Sequence, residues 1–324
     1  MAIYMISNIS ITDYILANLK GPLANLLNIH RVVKNYWDVV LFKYGIIKST
    51  WFKLYSGESF YIRNIKDYEK FWKNKTVYLT NNYKIKISKN LIKVYFGKEY
   101  PTYYSKSNVS FFFDNEKVIG DIIRQIRDIL YYKEYKFINP KNKVVLDIGA
   151  NIGDSAIYFC LRGAKKVYAI EAMPKLYKLM VKNIRINKIT NVSPINAVCS
   201  TSDKVYKLPK DNMWAGDIQE KPNNYTKVKS ISLDKIAKRY DIKSGILKID
   251  CEGCEYDIIA NTRKETLQRF GEIFIEYHYG YINIERKLKD CGFRVWHTTP
   301  AKIINTQLNK STMYIGFIKA KRKL

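Results

Sequence analysis

The segment Asp147-Ile-Gly-Ala-Asn-Ile-Gly153 sets two glycines four positions apart, behind one acid and ahead of another, Asp154. Gly149 and Gly153 allow a sharp turn and a close approach of backbone to a ligand. A helix that starts at such a turn offers unpaired N–H groups to a carboxylate or phosphate. Glu171 follows Gly149 by 22 residues. An acid at that spacing, at the end of the next strand, accepts hydrogen bonds from the two hydroxyls of a ribose. The chemistry implied is nucleoside binding.

The loop reads G-x-x-x-G, which is neither the dinucleotide fingerprint nor a P-loop. Asp147 lies inside the turn, where it would repel a pyrophosphate. It suits a ligand that carries positive charge, such as the ammonium or sulfonium of S-adenosylmethionine. A tight turn without a ligand is the plain alternative, and the matching position of Glu171 weighs against it.

A second group of reactive side chains occurs in Asp250-Cys-Glu-Gly-Cys-Glu255 and Phe274-Ile-Glu-Tyr-His278. If a hydroxyl is to be alkylated it must lose a proton, and Asp250, Glu252, Glu276 and His278 are the candidates to take it. Histidine titrates near neutrality and so suits a general base, although an isolated histidine also serves packing. Asp250, Glu252 and His278 offer oxygen and nitrogen ligands for a divalent cation. They lack the spacing of a ligand motif, so no metal is expected. Cys251 and Cys254 form a C-x-x-C without a second pair, at a turn already explained by ligand binding, so neither zinc nor redox chemistry is expected of them.

These residues need a scaffold that gathers strand ends. From Lys143 onward strands and helices alternate: strands at 144–148, 166–171, 192–197, 245–250, 272–277, 293–296 and 313–318, with helices at 154–162, 174–187, from 255, and 284–290. This pattern predicts an α/β fold, a doubly wound, mostly parallel sheet of seven strands. Its ligand site lies where the carboxyl ends of the central strands meet. Residues 1–135 read differently. A helical stretch over 11–48 precedes short aromatic and β-branched runs, then a helix near 118–132 capped by Asp114 or Asn115, together an α+β accessory unit. The expected division is an accessory region at 1–135 and a catalytic domain at 136–324. Aromatic residues from Tyr100 to Phe113 either stack on sugars or bases or fill the unit's core. Tyr131–Tyr135 and Asp211-Asn-Met-Trp214 are candidates to cover the ligand.

Val145-Leu-Asp-Ile-Gly-Ala-Asn-Ile-Gly-Asp-Ser155 and Leu247-Lys-Ile-Asp-Cys-Glu-Gly-Cys-Glu-Tyr256 resemble the two signature segments of the FkbM family of methyltransferases. The likeness covers roughly residues 135–295. It implies a Rossmann-like class I fold and S-adenosylmethionine as cofactor. By the same resemblance Asp147, Gly149, Ala150, Asn151, Gly153 and Asp154 lie around the methionine part, Glu171 holds the ribose, and Ala172 and Met173 lie near the adenine. Asn196 and Ala197 meet the adenine amino group, and Asp250 sits beside the transferable methyl. Family members often carry alanine where this chain has Cys254, which implies packing there. The family chiefly methylates hydroxyls of sugars and natural products, so the implied acceptor is a small molecule or glycan.

Composition narrows the rest. The chain has 324 residues, 47% hydrophobic and 26% charged, which excludes a largely disordered protein. Lys and Arg number 56 against 29 Asp and Glu, a formal charge of +27. The excess is +11 over residues 1–140 and +16 over the remainder, spread rather than gathered into an arm. A basic surface suits RNA or an anionic lipid head group, so ribose methylation is the competing activity and a non-catalytic binding protein the third reading. The segment Asp250-Cys-Glu-Gly253 differs from the Asn/Asp-Pro-Pro-aromatic segment typical of base N-methylation. No stretch reads as a signal peptide or transmembrane span. Five cysteines, most beside apolar residues, point to a reducing, cytoplasmic setting. Residues 11–48 offer a surface for self-association or membrane contact.

Overall fold

The computed structural model describes residues 38, 46–53, 59–64, 76–80, 83–88, 91–96, 104–113, 119–130, 134–201, 204–210, 224–305 and 311–322. One compact unit spans Lys136–Leu324, and the other lies within Pro22–Tyr135. The expected helix over 11–48 (apart from 38 and 46–48), the cap at 114–115 expected for the helix near 118–132, and the Asp211–Trp214 segment fall outside the described residues.

In the smaller unit β1 (Thr50–Lys53) and β2 (Ser59–Ile62) pair as an antiparallel ribbon. Then β3 (Thr76–Thr80), β4 (Tyr83–Ser88), β5 (Leu91–Phe96) and β6 (Asn108–Phe112) form an antiparallel meander in chain order. Along β5 every second residue is buried, putting Ile92, Val94 and Phe96 on the covered face, as the two-residue repeat of a strand requires. Helix α1 (Ile119–Leu130) buries Ile122, Ile126, Ile129 and Leu130 at helical spacing. The Tyr104 hydroxyl donates to the Leu130 carbonyl at 2.6 Å, and its ring packs on Phe96. Tyr104, Phe111 and Phe113 are buried, so at those positions the aromatic segment is core and not a stacking surface.

The larger unit is the alternating one. Its elements are β7 (Val144–Ile148), α2 (Asp154–Leu161), β8 (Lys166–Glu171), α3 (Pro174–Ile186), β9 (Val192–Asn196), β10 (Val198–Cys199), β11 (Val205–Pro209), β12 (Tyr225–Ile231) and α4 (Leu233–Arg239). There follow β13 (Gly245–Ile249), α5 (Glu255–Asn261), α6 (Lys264–Leu267), β14 (Phe270–Tyr277), α7 (Ile282–Asp290), β15 (Phe293–His297), β16 (Ala301–Asn305) and β17 (Ser311–Arg322). The main sheet runs β15-β17-β14-β13-β7-β8-β9, parallel except for β17, which lies antiparallel to β14 and to β15. This is a Rossmann-like α/β arrangement, a mostly parallel sheet with one antiparallel strand inserted.

The expected seven strands become eight, because β16 folds back on the first half of β17. A second, three-stranded sheet, β10-β12-β11, occupies a stretch that reads as plain connection in the sequence. Its strands are short or lysine-rich, and only Val228 in β12 is fully covered. Helix α4 was likewise missed, although its signals are present. The Ser232 hydroxyl caps it by accepting the Lys235 N–H, and Leu233, Ile236 and Ala237 are buried.

Strand order fixes the site. From β7 the chain winds outward through β8 and β9; from β13 it winds the other way through β14. The switch therefore falls between β7 and β13, and their carboxyl ends open a crevice there. Both strands are covered on both faces, and Val145, Leu146, Ile246, Leu247 and Ile249 are fully buried. Each such side chain contributes about 1.5–3 kcal/mol, which makes this the rigid part of the unit. Pro194 sits in β9, at the sheet edge, where its missing N–H costs no ladder bond.

Candidate active site

The turn after β7 is held by the neighbouring strand ends. The N–H groups of Gly149 and Ala150 both donate to the Ile170 carbonyl at 2.9 Å. Gly149 has φ +76°, and a Cβ added there would lie 1.7 Å from the Asp250 carbonyl oxygen. The Asp250 N–H in turn donates to the Ile148 carbonyl at 3.0 Å. The loop and Asp250 are thus pressed together, backbone on backbone. Gly153, with φ +87°, is the N-cap of α2.

Glu171 closes this arrangement from β8. One carboxylate oxygen accepts the Asn151 N–H and the other the Met173 N–H, both at 2.8 Å. Burial pushes its carboxyl up to about 7, against the lowering effect of those two bonds. Asn196 donates its side-chain N–H groups to the carbonyls of Glu171 and Ala172, at 2.8 and 3.0 Å, which leaves its side-chain oxygen as an acceptor. Ala150, Met173 and Ala197 are buried around the same strand ends, and Ala172 is half-buried.

Asp147 departs from expectation. It was read as the partner of a cationic ligand, yet its side chain is fully buried. One oxygen lies 3.1 Å from the Lys248 ammonium, and the other accepts the Ser155 hydroxyl at 2.6 Å. Lys248 also donates to the Gly149 carbonyl at 2.9 Å and lies 3.6 Å from Asp250. Burial alone would lower the Lys248 pKa, but Asp147 and Asp250 outweigh it and hold the ammonium charged. Asp147 and Lys248 face each other across the β7/β13 register. Asp147 therefore braces the loop from inside. Asp154 is also buried; its carboxylate accepts the Ser155 N–H, and burial raises its pKa to about 6.

A second cluster stands at the ends of β13 and β14. His278 is only 2% exposed. Its Nδ1 lies 3.0 Å from Glu255, whose same oxygen accepts the His278 backbone N–H at 3.1 Å. Its Nε2 lies 3.4 Å from Glu252 and 4.0 Å from Asp250. Burial works against an imidazolium here, but the carboxylates of Glu255, Glu252 and Glu276 prevail and push the pKa up to about 10. These carboxylates surround the histidine that the sequence reading proposed as a general base. Glu276 acts on it through charge, from within β14.

Two members of this site escaped the sequence reading. Lys248 could have been found as the one charge inside an otherwise apolar strand, since a buried ammonium demands a carboxylate partner. Glu255, fully buried at the start of α5, carried no such signal. Cys251 and Cys254 form a disulfide across the Glu252–Gly253 turn, with Cα atoms 5.5 Å apart. The sequence reading, which assigned this pair neither zinc nor redox chemistry, did not foresee the bond; Cys160, Cys199 and Cys291 are free.

The methyltransferase FkbM domain family matches residues 147–295, from the β7 turn to β15. Among curated proteins, tRNA(Phe) (4-demethylwyosine(37)-C(7)) aminocarboxypropyltransferase of Methanocaldococcus jannaschii is 35% identical over 114 residues, 33% of this chain and 41% of the other. Protein arginine N-methyltransferase 1 of Oryza sativa subsp. indica is 30% identical over 95 residues, 27% of this chain and 24% of the other. The chain thus spans less than half the length of either relative. Among solved structures, M. jannaschii TYW2 in complex with AdoMet aligns over 66% of this chain and 83% of its own, with 19% identity and a TM-score of 0.39. Among the described residues no helix is long and apolar enough to cross a membrane.

Proposed function

We propose that the chain is an S-adenosylmethionine-dependent methyltransferase that acts on a hydroxyl of a sugar, glycan or other small molecule. The observation that carries this reading is the crevice between β7 and β13. There the Gly149 turn, Glu171 and Asn196 sit together at the strand ends of an FkbM domain.

The donor set fits the cofactor. Glu171 keeps acceptor capacity for two ribose hydroxyls beyond its two amide bonds. The Asn196 oxygen suits the adenine amino group, beside Ala172, Met173 and Ala197. Gly149, Ala150, Asn151, Gly153 and Asp250 would line the methionine end, with Asp147 and Asp154 shaping the loop from behind. S-adenosylmethionine supplies a methyl carbon on a positively charged sulfur; the acceptor oxygen bonds to that carbon while the electron pair of the broken carbon–sulfur bond stays on sulfur. The chain's task is alignment and exclusion of water. The hydroxyl proton passes to one of Asp250, Glu252, Glu276 and His278, which gather at the ends of β13 and β14.

The hydroxyl acceptor rests on the FkbM domain and on the Asp250-Cys-Glu-Gly253 segment, which lacks the residues of base N-methylation. The relative named for tRNA(Phe), together with the +27 charge, favours RNA as the acceptor of the second reading, in which a ribose hydroxyl is methylated. A non-catalytic binding protein is the third. Residues 1–135 are assigned to acceptor selection or self-association, and the setting to the cytoplasm, where the Cys251–Cys254 disulfide would be open to reduction.

Incubation with methyl-labelled cofactor and a fractionated extract separates these readings. Label is expected in the glycan or small-molecule pool. Label confined to nuclease-sensitive material would replace the sugar hydroxyl by ribose, and absence of label from every pool would favour the binding protein.

A further inference from the structure

Among the described residues, one group of three potential metal ligands from His, Cys, Asp and Glu converges: Asp250, Glu252 and His278, with ligand atoms all within 4.8 Å of one another. They come from the ends of two adjacent parallel strands, β13 and β14, and from the turn after the first. The histidine is built for ligation. It is buried, its Nδ1 and its backbone N–H are both tied to the buried Glu255 carboxylate, and its Nε2 is left directed at the other two residues. A carboxylate behind a ligating imidazole fixes the ring and raises its basicity as a ligand. Asp250 is divided in the same sense. One oxygen faces Lys248 at 3.6 Å, and the other faces Nε2 at 4.0 Å. Metal–ligand bonds of about 2.1 Å place neighbouring ligand atoms roughly 3 Å apart. The observed 3.4 and 4.0 Å separations need only small side-chain rotations to reach that.

We propose that Asp250, Glu252 and His278 form a binding site for a divalent cation, with Glu255 as the residue that positions the histidine. Two carboxylates and one imidazole suit a cation of the Mn²⁺ kind, between the all-oxygen preference of Mg²⁺ and the nitrogen and sulfur preference of Zn²⁺. Three protein ligands leave positions open for water and for an acceptor oxygen, which the cation would polarise and acidify. The site itself is independent of the methyltransferase reading; only this role rests on it. Asp250 belongs to both the cofactor crevice and the cation site, which sets the two side by side.

The test is titration of the chelator-treated full-length chain with Mn²⁺ alone, followed by calorimetry and by the electron paramagnetic resonance signal of free Mn²⁺. One Mn²⁺ per chain is expected. Glu252→Gln, at a side chain 44% exposed, should weaken binding at least about 10-fold. Glu255→Gln should weaken it by about 10- to 100-fold through the histidine. Absence of stoichiometric binding, or equal affinity in the wild type and Glu252→Gln, overturns the proposal. Cofactor binding to the same chelator-treated protein is measured separately. If it persists where Mn²⁺ does not bind, the cation site alone falls; if Mn²⁺ binds and the cofactor does not, the cofactor reading falls.

Discussion

Replacing Lys248 by methionine is expected to lower stability by about 3–5 kcal/mol, the range for removing one partner of a buried ion pair. Methionine nearly matches the volume of the lysine stem, so packing in β13 should survive. What is lost is the cation between Asp147 and Asp250 and the bond to the Gly149 carbonyl. Asp147 would remain fully buried with the Ser155 hydroxyl bond but without its cation, and an uncompensated carboxylate there is costly. For a domain of this size the melting temperature should fall by about 10 °C. The Asp147→Asn, Lys248→Met double variant should be less destabilised than Lys248→Met alone, because the asymmetry lies in leaving one charge unpaired. Urea unfolding of the four proteins in the cycle reads this directly. A Lys248→Met variant within about 1 kcal/mol of wild type would show that the pair does not brace the loop.

Gly149→Ala should be as severe, for a different reason. At φ +76° any side chain pays a conformational penalty of about 1–3 kcal/mol, and here the new Cβ would also meet the Asp250 carbonyl oxygen at 1.7 Å. That contact is backbone against backbone between the two central strand ends, so relief requires the β7 turn and Asp250 to separate. Displacement of about 1 Å at this point should reduce turnover roughly 100-fold even in molecules that fold. Gly163 supplies the control. Its φ is +84°, but the nearest atoms to an added Cβ belong to Lys141 at 3.6 Å or beyond. Gly163→Ala should therefore cost only the backbone penalty, about 1 kcal/mol, and leave activity intact. Equal effects of the two substitutions on thermal unfolding and turnover would contradict the close packing of loop on strand end.

The alternating half of the fold was legible because each element is short, strongly patterned and bounded by its own signals. Pro174 opens α3, and Gly149 and Gly153 bound the turn before α2. What the sequence withheld depends on register. Asp147 and Lys248 lie 101 positions apart and become neighbours only when β7 pairs with β13. From the chain alone Asp147 is an acid in a ligand loop, and nothing there marks it as the partner of an interior lysine. His278 was read correctly as a strand-end residue, but its protonation depends on Glu255 and Glu252, which α5 and the preceding turn bring to it. The lysine-rich alternation of β12 resembles a solvated connection until β10 and β11 flank it.

The central claim is that the crevice binds S-adenosylmethionine through Glu171, and calorimetric titration at pH 8 and pH 6 tests it most directly. Burial holds the Glu171 carboxyl near 7, so it is mostly ionised at the higher pH and mostly protonated at the lower. An ionised carboxylate accepts from both ribose hydroxyls, whereas the protonated form gives up acceptor capacity. One cofactor per chain with an affinity on the order of micromolar is expected at pH 8, weakening as the pH falls through about 7. Glu171→Gln should bind more weakly and lose most of that pH dependence. Absence of binding at millimolar cofactor, or identical titrations for the wild type and Glu171→Gln, would contradict the account.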